Sequence, residues 1–245
     1  MSDTDVVRLV AGRQAVIFDL FFTLTALDSA GPARPKTFEI LGVPRDLWTQ
    51  QLVETADDRF AGKYRDPFEI TRMLAHAIDP SIPEDRIRKA TDYRLERFKG
   101  ALARIPEVSL ATLRELNRRG KKTGLVSNAD VVEMAGWSSS PLVGLFDSTI
   151  FSCEVGWVKP QREIYELSLS QLGLGPEDCL FVGDGGSHEL EGARGVGLAT
   201  VMITGHIRQV IPERITERRR YADFVIETLE ELLDDRAGLE NTGKA

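Results

Sequence analysis

The chain has 245 residues, of which 42% are hydrophobic and 28% are charged, a balance typical of a globular protein with a substantial core. Its formal net charge of −7 and its pI near 5.2 argue against nucleic acid or an anionic membrane as the main partner. We expect no membrane span and no signal peptide, because long apolar runs and an early basic region are both missing from the sequence. The two cysteines, Cys153 and Cys179, lack metal-binding spacing, so we expect a reducing cytoplasm. We expect the polar tail from Asp234 to be frayed.

Short apolar runs recur along the chain, as in parallel strands that are buried on both faces. They lie at 15–18, 124–126, 149–151, 180–182, 199–203 and 224–226. Helical patterns separate most of them: Ser109 is predicted to cap one helix that ends at Gly120, and another runs from about Arg162 to Gly173. This alternation predicts a doubly wound α/β fold with a parallel, Rossmann-like sheet.

The pattern changes between the first strand and Ser109. Residues 28–105 contain no convincing strand but show helical spacing, as at Ile87, Leu95 and Phe98, with turns at prolines. We therefore predict an α/β core formed by residues 1–27 and 106–245, with a helical domain inserted at 28–105.

Polar residues stand at the ends of several predicted strands. They are Asp19, Ser127 with Asn128, Lys159 with Pro160, and Gly183 with Asp184. Open α/β sheets bind ligands at the carboxyl ends of their strands. We therefore expect these residues to meet in one crevice, although they are far apart in the sequence.

The segments around these residues read FDLFFTLT, LVSN, VGWVKPQREIY and FVGDGGSHELEGA in chain order. Together they resemble the four motifs of the haloacid dehalogenase-like hydrolase superfamily, over residues from about 15 to 223. The resemblance implies that the helical insertion is a cap above the crevice. It also implies a hydrolase that attacks a small anionic metabolite with an aspartate nucleophile.

The chemistry of the residues agrees with that implication. The carboxylate of Asp19 can form a covalent ester and so divide a difficult hydrolysis into two steps. Thr23 and Ser127 offer hydroxyl groups, and Asn128 an amide, that can orient the transferred group. Lys159 can screen the repulsion between the nucleophile and an anionic substrate.

The fourth segment contains candidate ligands for Mg²⁺. Asp184 and Glu189 supply the hard carboxylate oxygens that this ion prefers, and Gly183 allows a sharp backbone turn beside them. The resemblance adds Asp19 and the backbone carbonyl of Phe21 to the ligand set.

Two positions depart from the superfamily pattern. Phosphatases of this superfamily usually carry a second aspartate, which protonates the leaving group, where this chain has Phe21, and a glycine where it has Phe22. Loss of a positioned acid typically slows a reaction about 10²–10⁴-fold. We favour a phosphatase whose ester is activated, or whose acid comes from the cap or the substrate, because the metal ligands are retained.

Other readings stay open. A 2-haloacid dehalogenase needs no leaving-group acid, but it works without a metal. A phosphonoacetaldehyde hydrolase would need a cap lysine, and Lys36, Lys63, Lys89 and Lys99 lie in the insertion without a matching motif. A domain that binds ligands or partners without turnover is the remaining alternative.

Some side chains are expected near the crevice without a defined role. His188 is expected to be an exposed neighbour of Glu189. Five others are expected either to contact the substrate or to pack: Tyr64, Arg65, Phe68, Trp137 and Trp157.

Overall fold

A computed structural model describes residues 3–25 and 35–233 of the chain. The predicted frayed tail from Asp234, and the first residues of the predicted insertion, lie outside the described part.

One sheet of six parallel strands organises the fold, in the order β3-β2-β1-β4-β5-β6. The strands are β1 (Ala15–Phe18), β2 (Lys122–Ser127), β3 (Ser148–Phe151), β4 (Cys179–Gly183), β5 (Ala199–Ile203) and β6 (Phe224–Ile226). Strand β1 lies between β2 and β4, with Phe18 opposite both Leu125 and Val182. The parallel α/β sheet confirms the predicted fold class. Ser127 and Gly183 belong to the ends of β2 and β4, however, and do not follow them as predicted.

The apolar run of β1 is buried throughout because its two faces enter different apolar clusters. Val16 and Phe18 join one cluster, whereas Ala15 and Ile17 join the other. Helices cover both faces, which is why the strands have no polar alternation. The order of connections reverses between β1 and β4, so the carboxyl ends of these two strands border the switch point where such sheets bind ligands.

The helices are, in chain order, α1 (Asp3–Ala11), α2 (Thr37–Leu41), α3 (Arg45–Glu54), α4 (Ala56–Phe60), α5 (Pro67–Ile78), α6 (Glu84–Ala103), α7 (Glu107–Arg118), α8 (Ser152–Val155), α9 (Arg162–Leu172), α10 (Glu189–Gly195), α11 (Ile207–Val210) and α12 (Ile215–Arg218). None of the helices in the described part of the chain is both long and apolar enough to cross a membrane.

Ser109 does not cap α7, so that prediction was wrong. The helix begins at Glu107, two residues before Ser109, and Pro106 occupies the N-cap position. Ser109 instead donates a hydrogen bond to the carbonyl oxygen of Leu24 at 2.7 Å. The two predicted glycine stops are confirmed: Gly120 and Gly173 follow α7 and α9 with φ of +75° and +67°.

Helices α2–α6 form the part of the chain where a helical insertion is predicted. Four of them, α2, α3, α5 and α6, share an apolar cluster that includes Leu41, Trp48, Ile70, Leu74 and Phe98. This cluster is separate from the two that cover the sheet. The division into a core and a cap at 28–105 stays an interpretation.

Gly62 marks a close approach between the segment after α4 and α8. Its φ is +74°, and a Cβ atom there would lie 2.1 Å from the carbonyl oxygen of Cys153. Gly120 has nearly the same φ, +75°, but a Cβ there would meet nothing within 4 Å. Comparing substitutions at Gly62 and Gly120 therefore distinguishes the cost of backbone strain from the cost of a steric clash.

We expect Gly62→Ala to lower the free energy of unfolding more than Gly120→Ala does. Both variants bear about 1–2 kcal/mol for a left-handed alanine, and Gly62→Ala bears roughly 1–3 kcal/mol more for overpacking. Urea denaturation of both variants measures the difference. Equal losses would contradict the close approach.

Candidate active site

Asp19 follows β1 directly at the carboxyl edge of the sheet. Its backbone N–H donates to the carbonyl oxygen of Val182 at 2.9 Å, which extends the pairing of β1 with β4 by one residue. The side chain is 9% exposed, and its Oδ2 accepts a hydrogen bond from the Thr23 hydroxyl at 3.1 Å. The turn after β1 therefore positions the Asp19 carboxylate.

The same turn holds Phe22 in a backbone conformation that favours glycine. Phe22 has φ of +64°, and its N–H closes the turn by donating to the carbonyl oxygen of Thr25 at 2.6 Å. A non-glycine residue in this region bears about 1–2 kcal/mol of strain. The turn thus keeps a glycine-like shape at a position where the sequence pattern predicts glycine.

Lys159 lies among the carboxylates of the site. Its side chain is buried, and Nζ lies 2.6 Å from Asp19 Oδ1 and 2.5 Å from Glu189 Oε2. Asn128 holds the backbone of this lysine: Asn128 Nδ2 donates to the Lys159 carbonyl oxygen at 3.0 Å, and Lys159 N–H donates to Asn128 Oδ1 at 2.8 Å. Lys159 reaches the site through α8 and the segment after it, rather than directly from the end of β3.

Asp184 and Glu189 complete a cluster of carboxylates. Both are buried, and oxygen atoms from Asp19, Asp184 and Glu189 all lie within 4.8 Å of one another. Backbone N–H groups of the intervening turn orient two of them: Gly186 donates to Asp184 Oδ1 at 2.9 Å, and Gly185 donates to Glu189 Oε1 at 2.8 Å.

Glycine is required at the end of β4 because Glu189 lies against it. A Cβ atom at Gly183 would be 2.2 Å from Glu189 Oε1. Gly183, predicted to allow a sharp turn, instead belongs to β4, and its lack of a side chain leaves space for the Glu189 carboxylate.

Arg218, at the end of α12, also reaches the cluster and was missed from the sequence. Its Nη1 lies 2.5 Å from Asp184 Oδ2. The residue belongs to a run of arginines in the segment ERITERRRY, which offers no motif that would distinguish it from a solvated helix face. Only the three-dimensional structure identifies it.

Burial and the neighbouring opposite charges shift the pKa values of the cluster in opposite directions. Burial raises the pKa of the Asp19 carboxyl above its ordinary value, Lys159 opposes that rise, and Asp184 adds to it. Burial, together with Asp19, raises the pKa of Glu189 well above its ordinary value against the opposing effect of Lys159. Burial alone would lower the pKa of Lys159, but Asp19 and Glu189 outweigh it and raise that pKa. When all five groups are ionised, three carboxylates face two cations, so a negative charge is left over.

Ser127 ends β2 beside the site. Its side chain is fully buried, and its Oγ has no hydrogen-bond partner among the described residues. Buried hydroxyl groups are usually paired, so an unpaired one at the carboxyl edge of the sheet is suited to a bound ligand.

Asp130 anchors the loop after β2 to the helices of the predicted insertion. It is completely buried and forms ion pairs with Arg59 of α4 and, at 3.5 Å, with Arg94 of α6. The two arginines hold the pKa of Asp130 below its ordinary value despite burial. Burial and Asp130 raise the pKa of the adjacent Glu133 to about 7. This buried network fixes α4, whose last residue is Phe60, relative to the loop that starts with Asn128.

The side chains enclose a cleft of about 230 Å³. Its lining combines the charged cluster with aromatic rings: Asp19, Phe21, Phe22, Phe60, Asn128, Lys159, Asp184, Gly186, Ser187, Glu189 and Arg218. Phe60 is the only one of these that comes from α2–α6, and the sequence did not single it out.

The side chains without a predicted role lie away from this lining. Trp137 packs against Phe151 with ring centroids 5.0 Å apart, and Tyr64 and Phe68 pack against the apolar cluster of α2–α6. Trp157 is 45% exposed. The side chain of His188 is 68% exposed, as expected.

We expect Ser127→Ala to leave the free energy of unfolding within about 0.5 kcal/mol of the wild type, because the hydroxyl group has no hydrogen-bond partner in the part of the chain that the structure describes. Ser109→Ala is the matched control: it removes a buried hydrogen bond to Leu24 and should lose about 1–3 kcal/mol. Chemical denaturation measures both. A large loss for Ser127→Ala would mean that its hydroxyl supports the fold.

The sequence of the chain is similar to proteins of a known family. Residues 14–197 match the sequence profile of the haloacid dehalogenase-like hydrolases. Over 140 residues, 56% of the chain, the sequence is 31% identical to glyceraldehyde 3-phosphate phosphatase of Methanocaldococcus jannaschii, of which 58% is covered. Over 129 residues, 52% of the chain, it is 30% identical to pyrophosphatase PpaX of Bacillus cereus, of which 57% is covered. The matches thus span little more than half the length of these curated relatives.

A solved structure of a dehalogenase is similar over more of the chain. It has a TM-score of 0.64 and 25% sequence identity, and the match covers 90% of this chain and 95% of that one. The family match, which includes more than half of the chain, agrees with the parallel sheet and with the polar residues at its carboxyl edge. The protein therefore belongs to the haloacid dehalogenase-like hydrolases.

Proposed function

We propose that this hydrolase is a phosphatase that acts on a small phosphorylated metabolite, with Asp19 as nucleophile and Mg²⁺ as cofactor. The observation that carries the proposal is the cluster of three buried carboxylates within 4.8 Å of one another. Such a set is costly to bury unless a cation compensates it. The phosphatases among its relatives support the same class of substrate.

The residues present fit a divalent cation. The three carboxylates exceed the charge of Lys159 and Arg218 by one, and hard oxygen ligands are those that Mg²⁺ prefers. Asp19, Asp184 and Glu189, with the backbone carbonyl of Phe21, would hold the ion. When bound, Mg²⁺ would supply positive charge to the oxygens of the phosphoryl group.

Asp19 would attack phosphorus, forming an aspartyl phosphate as the bond to the leaving oxygen breaks. Water would then attack phosphorus, releasing inorganic phosphate and restoring the carboxylate. Thr23 orients Asp19 through its 3.1 Å hydrogen bond. Lys159 screens the repulsion between the carboxylate and the anionic phosphoryl group.

Ser127 and Asn128 would act differently from each other. The unpaired hydroxyl group of Ser127 is free to donate to a phosphoryl oxygen. The amide of Asn128 already holds the Lys159 backbone with both polar atoms, which favours a positioning role over direct contact with the substrate.

A strongly basic leaving oxygen must receive a proton as it departs, and Phe21 cannot supply one. The ring of Phe21 lines the cleft and packs edge-on against Phe98 of α6, with centroids 5.6 Å apart. We propose that the substrate is an activated ester with a weakly basic leaving group, or that the substrate supplies the acid.

A 2-haloacid dehalogenase is the second candidate. Similarity to a solved dehalogenase over 90% of the chain favours it, and so does Phe21, since halide leaves without a proton. The carboxylates at Asp184 and Glu189 argue against it, because they add negative charge that a metal-free reaction on an anionic acid does not need.

A Schiff-base mechanism with a lysine of the insertion has less support. Lys63 and Lys99 are exposed and pair with Asp58 and Glu96, and Lys159 is the lysine that lines the cleft. We also propose a cytoplasmic location, which the two buried free thiols, Cys153 and Cys179, support.

The proposed function predicts Mg²⁺-dependent release of phosphate from a chromogenic phosphomonoester. Chelator should abolish it, and Asp19→Asn should reduce it by at least about 10³-fold, since the variant loses its nucleophile. Phosphonoacetaldehyde and a 2-haloacid tested in parallel complete the panel. Halide release that persists in chelator would establish the dehalogenase instead, and no turnover by the folded protein on any substrate would favour a binding module.

We expect Phe21→Asp to increase the rate of phosphomonoester hydrolysis, because a carboxyl group would be placed where the leaving oxygen can be protonated. The same change should lower the melting temperature, because it removes the contact with Phe98. Steady-state kinetics and thermal denaturation measure the two effects. Phe21→Leu is the matched control: it loses the ring contact without adding an acid. A rate for folded Phe21→Asp no higher than that of Phe21→Leu would contradict the role assigned to this position.

A further inference from the structure

Arg218 is the cation of the site that the established family chemistry does not require. Its Nη1 lies 2.5 Å from Asp184 Oδ2 and 3.3 Å from the Asp184 carbonyl oxygen. The other carboxylate oxygen of Asp184 accepts from the N–H of Gly186 at 2.9 Å. The guanidinium of Arg218 therefore already binds one of the two side-chain oxygens that Asp184 could offer to a metal.

The two cations of the cluster differ in how firmly they are held. Lys159 is 4% exposed and bridges two carboxylates. Arg218 has a side chain that is 19% exposed, its hydrogen bonds among the described residues go to Asp184, and it ends a helix of only four residues. Arg218 is thus the more readily displaced of the two.

A second cleft, of about 240 Å³, lies beside the first and offers space for the Arg218 guanidinium away from Asp184. Arg218 and Ser187 line both clefts. The second one also contains the carboxylates of Glu191 and Glu217, whose side chains are 46% and 54% exposed. Glu191 pairs with His188 and Glu217 pairs with Arg214. A guanidinium that leaves Asp184 therefore reaches solvent and acidic side chains that it would share with these partners.

We propose that Arg218 is a displaceable counter-ion that competes with the divalent cation for Asp184. Arg218 neutralises Asp184 in the metal-free protein, and metal binding releases it toward the second cleft. Arg218 thereby lowers the metal affinity and limits the repulsion among the three carboxylates when no metal is bound. This inference rests on the metal site of the proposed function.

Isothermal titration calorimetry with MgCl₂ tests the competition directly. Arg218→Met removes the charge but keeps much of the side-chain volume, and it should bind Mg²⁺ at least about tenfold more tightly than the wild type. Arg218→Lys keeps a charge with a weaker grip on the carboxylate, and its affinity should lie between the two. Arg219→Met, which removes an exposed arginine next in sequence, controls for the change in net charge and should bind as the wild type does.

Thermal denaturation with and without Mg²⁺ supplies a readout that is independent of turnover. Arg218→Met should melt below the wild type without metal, because Asp184 loses its partner, and should gain more from added Mg²⁺. Equal Mg²⁺ affinities for the wild type and folded Arg218→Met, or weaker binding by the variant, would overturn the competition while leaving the metal site intact. An absence of Mg²⁺ binding in both folded proteins would overturn the competition and the proposed metal site together.

Discussion

The ammonium group of Lys159 lies between two buried carboxylates, and the rest of the site depends on that arrangement. Its contacts of 2.6 Å to Asp19 and 2.5 Å to Glu189 offset the repulsion and desolvation that burial imposes on them. The structure fixes each partner separately. Asp19 continues β1, Asn128 binds the Lys159 backbone, and Gly183 leaves room for Glu189. Removing the lysine would leave the negative charges of Asp19 and Glu189 without this compensating cation. A hydrolase needs these charges to be balanced and accessible at one edge of the sheet.

Local patterns predicted the sheet and the residues at its edge. Short apolar runs identify parallel strands, and parallel strands bring their carboxyl ends together, so Asp19, Lys159 and Asp184 could be expected to meet. Contacts that depend on side-chain packing could not be predicted. Arg218 resembles any arginine of a solvated helix, and the position of Phe60 depends on the buried pair of Arg59 and Asp130. Serine is a residue type that favours helix N-caps, but Pro106 occupies the N-cap position of α7, and Ser109 lies within the helix.

The two phenylalanines after the nucleophile have different physical consequences. Phe22 adopts a φ of +64°, so the turn retains its shape and the strain falls on one residue. The ring of Phe21 joins the apolar packing between the sheet and α6. Asp19, Lys159 and the other carboxylates thus lie together, while Phe21 contributes to the contact with α6.

The proposed function requires that Asp19 becomes covalently phosphorylated beside the carboxylate cluster. Borohydride reduction of the protein during turnover of a phosphomonoester, followed by peptide mass spectrometry, tests it most directly, because an aspartyl phosphate is reduced to homoserine whereas a free aspartate is not. We expect homoserine in place of Asp19, formed only when substrate and Mg²⁺ are both present. Recovery of unmodified Asp19 from protein that is releasing phosphate, with another residue modified or none, would contradict it.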